Sequence, residues 1–372
     1  MRRRSAAASS SRRHALAVGA GLLAAAAACV ALQGLVGGRL AFARDASALT
    51  PQERAAVLAL GPWPPAPGRD ARNPASGRAA GIALGEALFH SARLSPSGLR
   101  CASCHEPWRH FADGRTVAQG VALGSRNTPS LLDVARHRAF GWDAARDDLA
   151  AQSLRPLEDA REMPASAAQV AMFVRRDAAL AARFTQVFGH PPGADDAGVL
   201  REVGLALAAY VESLASPRTP FDDWRDRLAS ASEGIEPSTS DAFPAAARRG
   251  LRLFVGRAGC SACHAGPTLS DDTFHVSLVH SMTAPGVPDP GHAGEPANAF
   301  RTPGLRDVAA TAPWFHDGSA ARLCDAVQPH AADPGSVPPL LDASERRDLV
   351  AFLRTLSAEA PRDDSNAACD DR

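Results

Sequence analysis

The sequence predicts a mainly α-helical chain built from two like units with long loops, and three observations point there. The pattern Cys-x-x-Cys-His occurs twice, as Cys101-Ala102-Ser103-Cys104-His105 and as Cys260-Ser261-Ala262-Cys263-His264. Apolar residues recur at helical spacing over several stretches. Alternating, strand-like patterns are scarce.

The repeated pentapeptide has a chemical reading. Two thiols one helical turn apart can each add to a haem vinyl group, and the adjacent histidine then reaches the iron from one face. Zinc is the competing reading, since two Cys-x-x-Cys pairs together supply four ligands. The pairs lie far apart in the chain and a histidine abuts each, which favours haem. The expectation is two covalently bound haem c groups. Cys101, Cys104 and His105 hold the first, and Cys260, Cys263 and His264 the second, each in a cytochrome-c-like domain.

The 372 residues suffice for about two domains with a sizeable core. Only 5% are aromatic, and Tyr210 is the single tyrosine. The N-terminus reads as an export signal: a basic stretch with Arg2, Arg3, Arg4, Arg12 and Arg13, an apolar run from Ala15 to Val36, and Ala41-Phe42-Ala43 as a cleavage site. Cleavage after Ala43 would place the mature protein in the periplasm; an uncleaved run would instead anchor it to the membrane. Removing 1–43 takes away six arginines and leaves 34 against 40 acidic residues, a net −6. That balance disfavours nucleic acid as a partner. Of seven cysteines, four belong to the repeats and Cys29 to the signal. Cys324 and Cys369 remain, as a disulfide or as two separate thiols.

Residues 44–80, rich in Pro, Ala and Arg, read as an extended arm wrapping the first domain. A short helix from Ala83 to Phe89 leads into the first Cys-x-x-Cys-His, and 114–130 reads as loop. Residues 165–188 fit one long helical pattern. Val199, Val203, Leu207, Tyr210, Val211 and Leu214 mark a face of the next helix, begun by Asp195 or Asp196 and closed before Pro217. Residues 216–243, dense in Ser, Pro, Asp and Glu, read as the linker. Pro244 opens a helix that delivers the second repeat, and the last helix starts with Asp342 and Glu345 as a capping box. The domains are thus 81–215 and 244–372. Among the remaining histidines, His90, His110, His137 and His190 sit in polar or loop contexts and read as exposed.

Further stretches, in order, resemble the bacterial di-haem cytochrome c peroxidase family, including its relative that matures a tryptophan-derived quinone. They are Leu84-Gly85-Glu86-Ala87-Leu88-Phe89, Arg126-Asn127-Thr128-Pro129-Ser130-Leu131, Trp142-Asp143, Gln152, Pro156, Glu162-Met163, Phe300-Arg301-Thr302-Pro303-Gly304-Leu305-Arg306 and Thr311-Ala312-Pro313-Trp314-Phe315-His316-Asp317-Gly318. The resemblance implies that hydrogen peroxide is reduced at the N-terminal haem. Electrons would come by way of the C-terminal haem from a small cytochrome c or copper protein. It implies Glu162 as distal acid–base, Gln152 as the amide that positions peroxide, and Trp142 as a relay between the haems. Asn127, Thr311 and Pro313 match positions that hold a calcium ion.

Two departures stand out. The loop Ala118-Gln119-Gly120-Val121-Ala122-Leu123-Gly124 lacks the histidine that many members carry there, which leaves the first haem open as isolated. Where relatives supply a methionine or tyrosine to the second iron, this chain has His330, so His264/His330 ligation is expected, with His275, His280, His292 and His316 as competitors. The alternatives to a peroxidase are a protein-modifying oxidase of the quinone-maturing kind and a non-enzymatic electron carrier or redox sensor.

Overall fold

The computed structural model describes residues 49–65, 70–143, 146–279, 295–327, 340–359 and 369. The stretch read as an export signal, 1–43, and His330 lie outside the described residues, as do His280 and His292. The chain is largely helical: α1 Pro51–Ala59, α2 Ala79–Phe89, α3 Leu149–Glu158, α4 Ala167–Arg176, α5 Ala178–Phe188, α6 Asp196–Glu212, α7 Pro220–Ser230, α8 Ala245–Val255, α9 Leu323–Ala326 and α10 Ala343–Arg354. Two three-residue strands, β1 Phe274–Val276 and β2 Ala299–Arg301, pair antiparallel with His275 opposite Phe300. Among the described residues no helix is long and apolar enough to cross a membrane.

Apolar residues gather in two clusters. The first draws on α2, α4, α5 and α6, through Leu84, Leu88, Val170, Phe184, Val203 and Leu207. The second joins α1, α7, α8 and α10, through Val57, Trp224, Phe254, Phe352 and Leu356. In each cluster a glycine sets how closely two helices approach. A Cβ on Gly85 of α2 would stand 2.0 Å from the Ala206 carbonyl oxygen of α6, and one on Gly250 of α8 would stand 1.9 Å from that of Asp348 in α10.

Helix starts follow local chemistry. Asp195 caps α6 by accepting from the Ala197 amide, Pro244 precedes α8, and Asp342 with Glu345 closes a reciprocal capping box on α10. Three expectations need correction. The segment expected to be an extended arm contains α1, started by a Thr50–Glu53 capping box with Pro51 at its first position, and Val57 and Leu60 bury in the second cluster. Only its later part keeps to the first cluster, where the Asn73 side chain donates to the Leu205 carbonyl and Ala75 is buried. The stretch read as linker contains α7, opened by Thr219-Pro220 with Asp222 completing the box, and its Phe221, Trp224 and Leu228 are fully buried. Residues 165–188 form two helices, because Asp177 ends α4 and its carboxylate caps α5 at the Leu180 amide. Cys324 and Cys369 are joined as a disulfide in the second cluster.

Gly250→Ala tests the closest of these helix contacts. Overpacking costs about 1–3 kcal/mol and exceeds the ~0.5–1 kcal/mol that alanine gains over glycine inside a helix. The expected result is a lower urea midpoint of the haem-loaded protein at unchanged slope.

Candidate haem-binding and active site

Both Cys-x-x-Cys-His segments fold alike. Cys101–Ser103 and Cys260–Ala262 each form one 3-10 turn, closed by the amides of Cys104 and Cys263 donating to the carbonyls of Cys101 and Cys260 at 3.2 and 3.3 Å; the same carbonyls also accept from the amides of His105 and His264, each at 2.9 Å. His105 Nδ1 lies 3.0 Å from the Phe111 carbonyl oxygen and His264 Nδ1 3.1 Å from that of Leu269. A carbonyl only accepts, so Nδ1 carries the proton and Nε2 keeps its lone pair, as a metal ligand requires. Burial lowers the pKa of His105, which keeps its ring in that neutral form.

The likeness extends beyond the pentapeptides. Phe111 and Leu269 both adopt the left-handed conformation, as do Asp133 and Asp307 further on. Each of these aspartates opens a 3-10 turn, Val134–Arg136 in one half and Val308–Ala310 in the other. Then Phe140 donates to the Arg146 carbonyl as Trp314 donates to that of Ala320. In this register Asn127 corresponds to Arg301, and Trp142 to His316. The two halves meet through these residues: the Asn127 amide donates to the His316 carbonyl at 2.7 Å, and the Arg301 amide to the Trp142 carbonyl at 3.2 Å.

Between the halves lies a cavity of about 810 Å³. Cys101, Cys104, His105, Cys260, Cys263 and His264 all line it, and so do Trp142, Gln152, Glu162, Asn127, Thr311 and Pro313. The structure therefore brings together every sequence-derived site residue except His330, which lies outside the described residues. The four cysteines do not form a single group. Among the described residues the one cluster within metal-ligating reach is Cys263, Asp271 and His275, and the last two already pair at 2.9 Å. Zinc shared between the Cys-x-x-Cys pairs is thus excluded, whereas two large ligands, each anchored at one edge, suit these walls.

Glu162 and Gln152 occupy the wall of the first site. Pro156 and Leu157 of α3 accept backbone bonds from Met163 and Ala165, which folds the Glu162 turn back against the helix bearing Gln152. The loop without a histidine clasps the same turn: Val121 donates to the Glu162 carbonyl and Ala122 to that of Arg161, both at 2.9 Å. Gly120 makes this approach possible, since its Cβ would stand 2.4 Å from the Arg161 oxygen. Burial, with Asp159 second, raises the Glu162 carboxyl above its usual pKa. Gln152 Oε1 is buried without a protein hydrogen bond, an acceptor facing whatever occupies the cavity.

Trp142 is held at the junction. Its indole N–H donates to the Asn127 carbonyl at 2.9 Å, and its ring meets His316 edge-on at 6.5 Å, while His316 stacks on Phe300 at 4.1 Å. Arg126 and Arg155 flank it through Asp143, at 2.7 and 3.4 Å. His137 corrects the expectation of an exposed loop residue. Its side chain is 6% exposed, lines the cavity and pairs with Asp272 at 2.7 Å. No local pattern marks it, since its partner lies 135 positions away. His110 is also partly buried, beside Asp307.

Residues 79–229 match the di-haem cytochrome c peroxidase family. The chain is 38% identical to methylamine utilization protein MauG of Methylorubrum extorquens over 294 residues, covering 75% of this chain and 78% of that one. It is 31% identical to cytochrome c551 peroxidase of Pseudomonas aeruginosa, covering 75% and 79%. Among solved structures it resembles the diheme peroxidase BthA of Burkholderia thailandensis, with a TM-score of 0.65 at 26% identity, covering 78% and 90%. A duplicated Cys-x-x-Cys-His fold around one cavity, with relatives of this kind over three quarters of its length, makes the chain a member of the di-haem cytochrome c peroxidase family.

Proposed function

We propose that the protein is an exported peroxidase with two haem c groups, reducing hydrogen peroxide to water with electrons from a small cytochrome c or copper protein. The observation that carries this reading is the presence together of a half-buried carboxyl, Glu162, and an unsatisfied amide oxygen, Gln152 Oε1, among the residues that line the cavity holding the first Cys-x-x-Cys-His. Cys101 and Cys104 would anchor one haem and His105 its iron; Cys260, Cys263 and His264 would serve the other. When bound, these groups supply redox-active iron. Hydrogen peroxide takes up two electrons and two protons to give two waters. Glu162 moves the proton this cleavage requires, accepting it from one peroxide oxygen and delivering it to the other. Gln152 accepts a hydrogen bond from the substrate and orients it.

Trp142 lies where the halves cross, in edge contact with His316, and is assigned as the relay between the sites. His330 would join His264 in holding the second iron. Asn127, Thr311 and Pro313 line one wall and offer a side-chain oxygen and carbonyls, a donor set suited to calcium. The units 81–215 and 244–372 correspond to the two haem domains, with α7 packed into the second. The mature protein would begin after Ala43 in the periplasm. A second reading, a protein-modifying oxidase, draws on the 38% identity to MauG and on the loop 118–124, which clasps Glu162 and bears no histidine.

Glu162→Gln removes the proton-moving carboxylate and is expected to lower peroxide turnover with a reduced cytochrome about 10²–10⁴-fold, with both haems retained. An unchanged rate would reject the assignment. A carboxyl raised by burial must lose its proton before it can accept one. The wild-type rate therefore climbs with pH through an ionisation above 4.5, the ordinary value for Glu, and this limb disappears in Glu162→Gln.

The oxidised protein is expected to show high-spin iron at the first haem without reductive activation. The second should show bis-histidine, low-spin iron with no methionine charge-transfer band. Absorption and spin-resonance spectra check both, and wholly low-spin iron would contradict an open first site.

A further inference from the structure

The junction contains a second polar cluster that the reaction above does not use. In the register relating the halves, the place of Asn127 is taken by Arg301 and that of Thr311 by His137. Asp272 joins the two. Its Oδ1 lies 2.7 Å from His137 Nδ1 and 3.3 Å from Arg301 Nη1, and its Oδ2 accepts from the Arg138 amide at 3.2 Å. All three side chains are nearly buried, at 6%, 10% and 12% exposed for His137, Arg301 and Asp272. Arg301 also donates from Nη1 to the Thr302 carbonyl.

Two atoms remain unaccounted for. Among the described residues Arg301 Nε is buried with no hydrogen-bond acceptor, and the His137 ring is bonded through Nδ1, leaving Nε2 without a described partner. Both side chains line the central cavity. A guanidinium N–H without an acceptor costs on the order of 1–3 kcal/mol, which an oxygen supplied by what the cavity holds would relieve. A carboxylate suits best, matching the planar fork of a buried arginine whose carboxylate neighbour, Asp272, is already shared with His137. Haem offers such a group. Its propionates sit on the pyrrole rings opposite the vinyl-bearing pair, away from the cysteine-anchored edge.

We propose that Arg301 and His137, braced by Asp272, form a carboxylate site that receives a haem propionate at the junction of the two halves. The proposal rests on the di-haem reading. Arg301 turns its remaining guanidinium N–H groups to the carboxylate. The His137 ring, its Nδ1–H fixed on Asp272, donates from Nε2 once it takes up a second proton. Left alone, His137 is depressed by burial and by Arg301; a propionate at Nε2 acts in the opposite sense and favours that uptake. A positive charge held against the propionate favours the reduced iron, so the cluster sets the potential of the haem it grips.

The test uses the haem-loaded full chain. Covalent haem is first counted by mass and by pyridine haemochrome, and each haem is then titrated optically. In Arg301→Gln one haem should shift to lower potential, its reduced-to-oxidised ratio at a fixed poise falling about tenfold, or 59 mV for one electron. His137→Gln should lower the same haem by less, and Arg301→Lys should restore most of the loss. Two attached haems with unchanged potentials in both glutamine variants overturn the proposal and leave the di-haem reading intact. Should Arg301→Gln fail to assemble, His137→Gln decides alone. A chain with no covalent haem refutes the di-haem reading itself.

Discussion

A crossed pair of main-chain hydrogen bonds holds the two halves in register. The Asn127 amide donates to the carbonyl of His316, and the amide of Arg301 donates to that of Trp142. Backbone bonds fix position more tightly than side-chain contacts, because no rotamer can relax them. Three of the four residues also project a side chain that matters at the junction. Trp142 donates back to Asn127, His316 stacks on Phe300, and Arg301 reaches Asp272. Slipping one half by a residue would break both bonds and scatter these groups together. The geometry of any transfer between the sites thus depends on the main chain first.

The duplication makes two sites from one plan, and the differences between the copies assign their roles. Both have the 3-10 turn, the Nδ1-to-carbonyl bond and the left-handed aspartate. In the first half the helix that follows, α3, bears Gln152, and the turn after it brings Glu162 back to the cavity wall. In the second half α9 starts at the corresponding place, and its Cys324 is tied to Cys369. The carboxyl and the amide on which the proposed reaction draws thus belong to the first copy.

Much of this was legible because it is written locally. A Cys-x-x-Cys-His is a covalent instruction, and capping residues such as Asp195, Pro244 and Asp342 act within three positions of themselves. The failures share a cause as well. Thr219-Pro220-x-Asp222 has the polar composition of a linker, yet the same residues build a helix start, and only the burial of Phe221 against Phe352 of distant α10 and of Trp224 against Phe243 decides between the two. Asp177 interrupts an apolar period that runs on through it, since a cap competes with helix continuation on equal local terms. His137 looks like any loop histidine until Asp272 meets it from the other half.

The pKa of Glu162 shows how far such remote pairings reach into chemistry. Arg155 and Arg161 both pull its carboxyl towards ionisation, against burial and Asp159. Each is held by another acid. Asp143 takes Arg155 at 3.4 Å, sharing itself with Arg126, and Asp159 takes Arg161 at 3.3 Å. Burial therefore prevails, and the carboxyl keeps its proton to higher pH than a solvated glutamate does. Asp143 follows Trp142 directly in the chain, so the crossing that seats the indole also withdraws a cation from the acid. The proposed electron and proton routes thus meet in one short segment, 142–143.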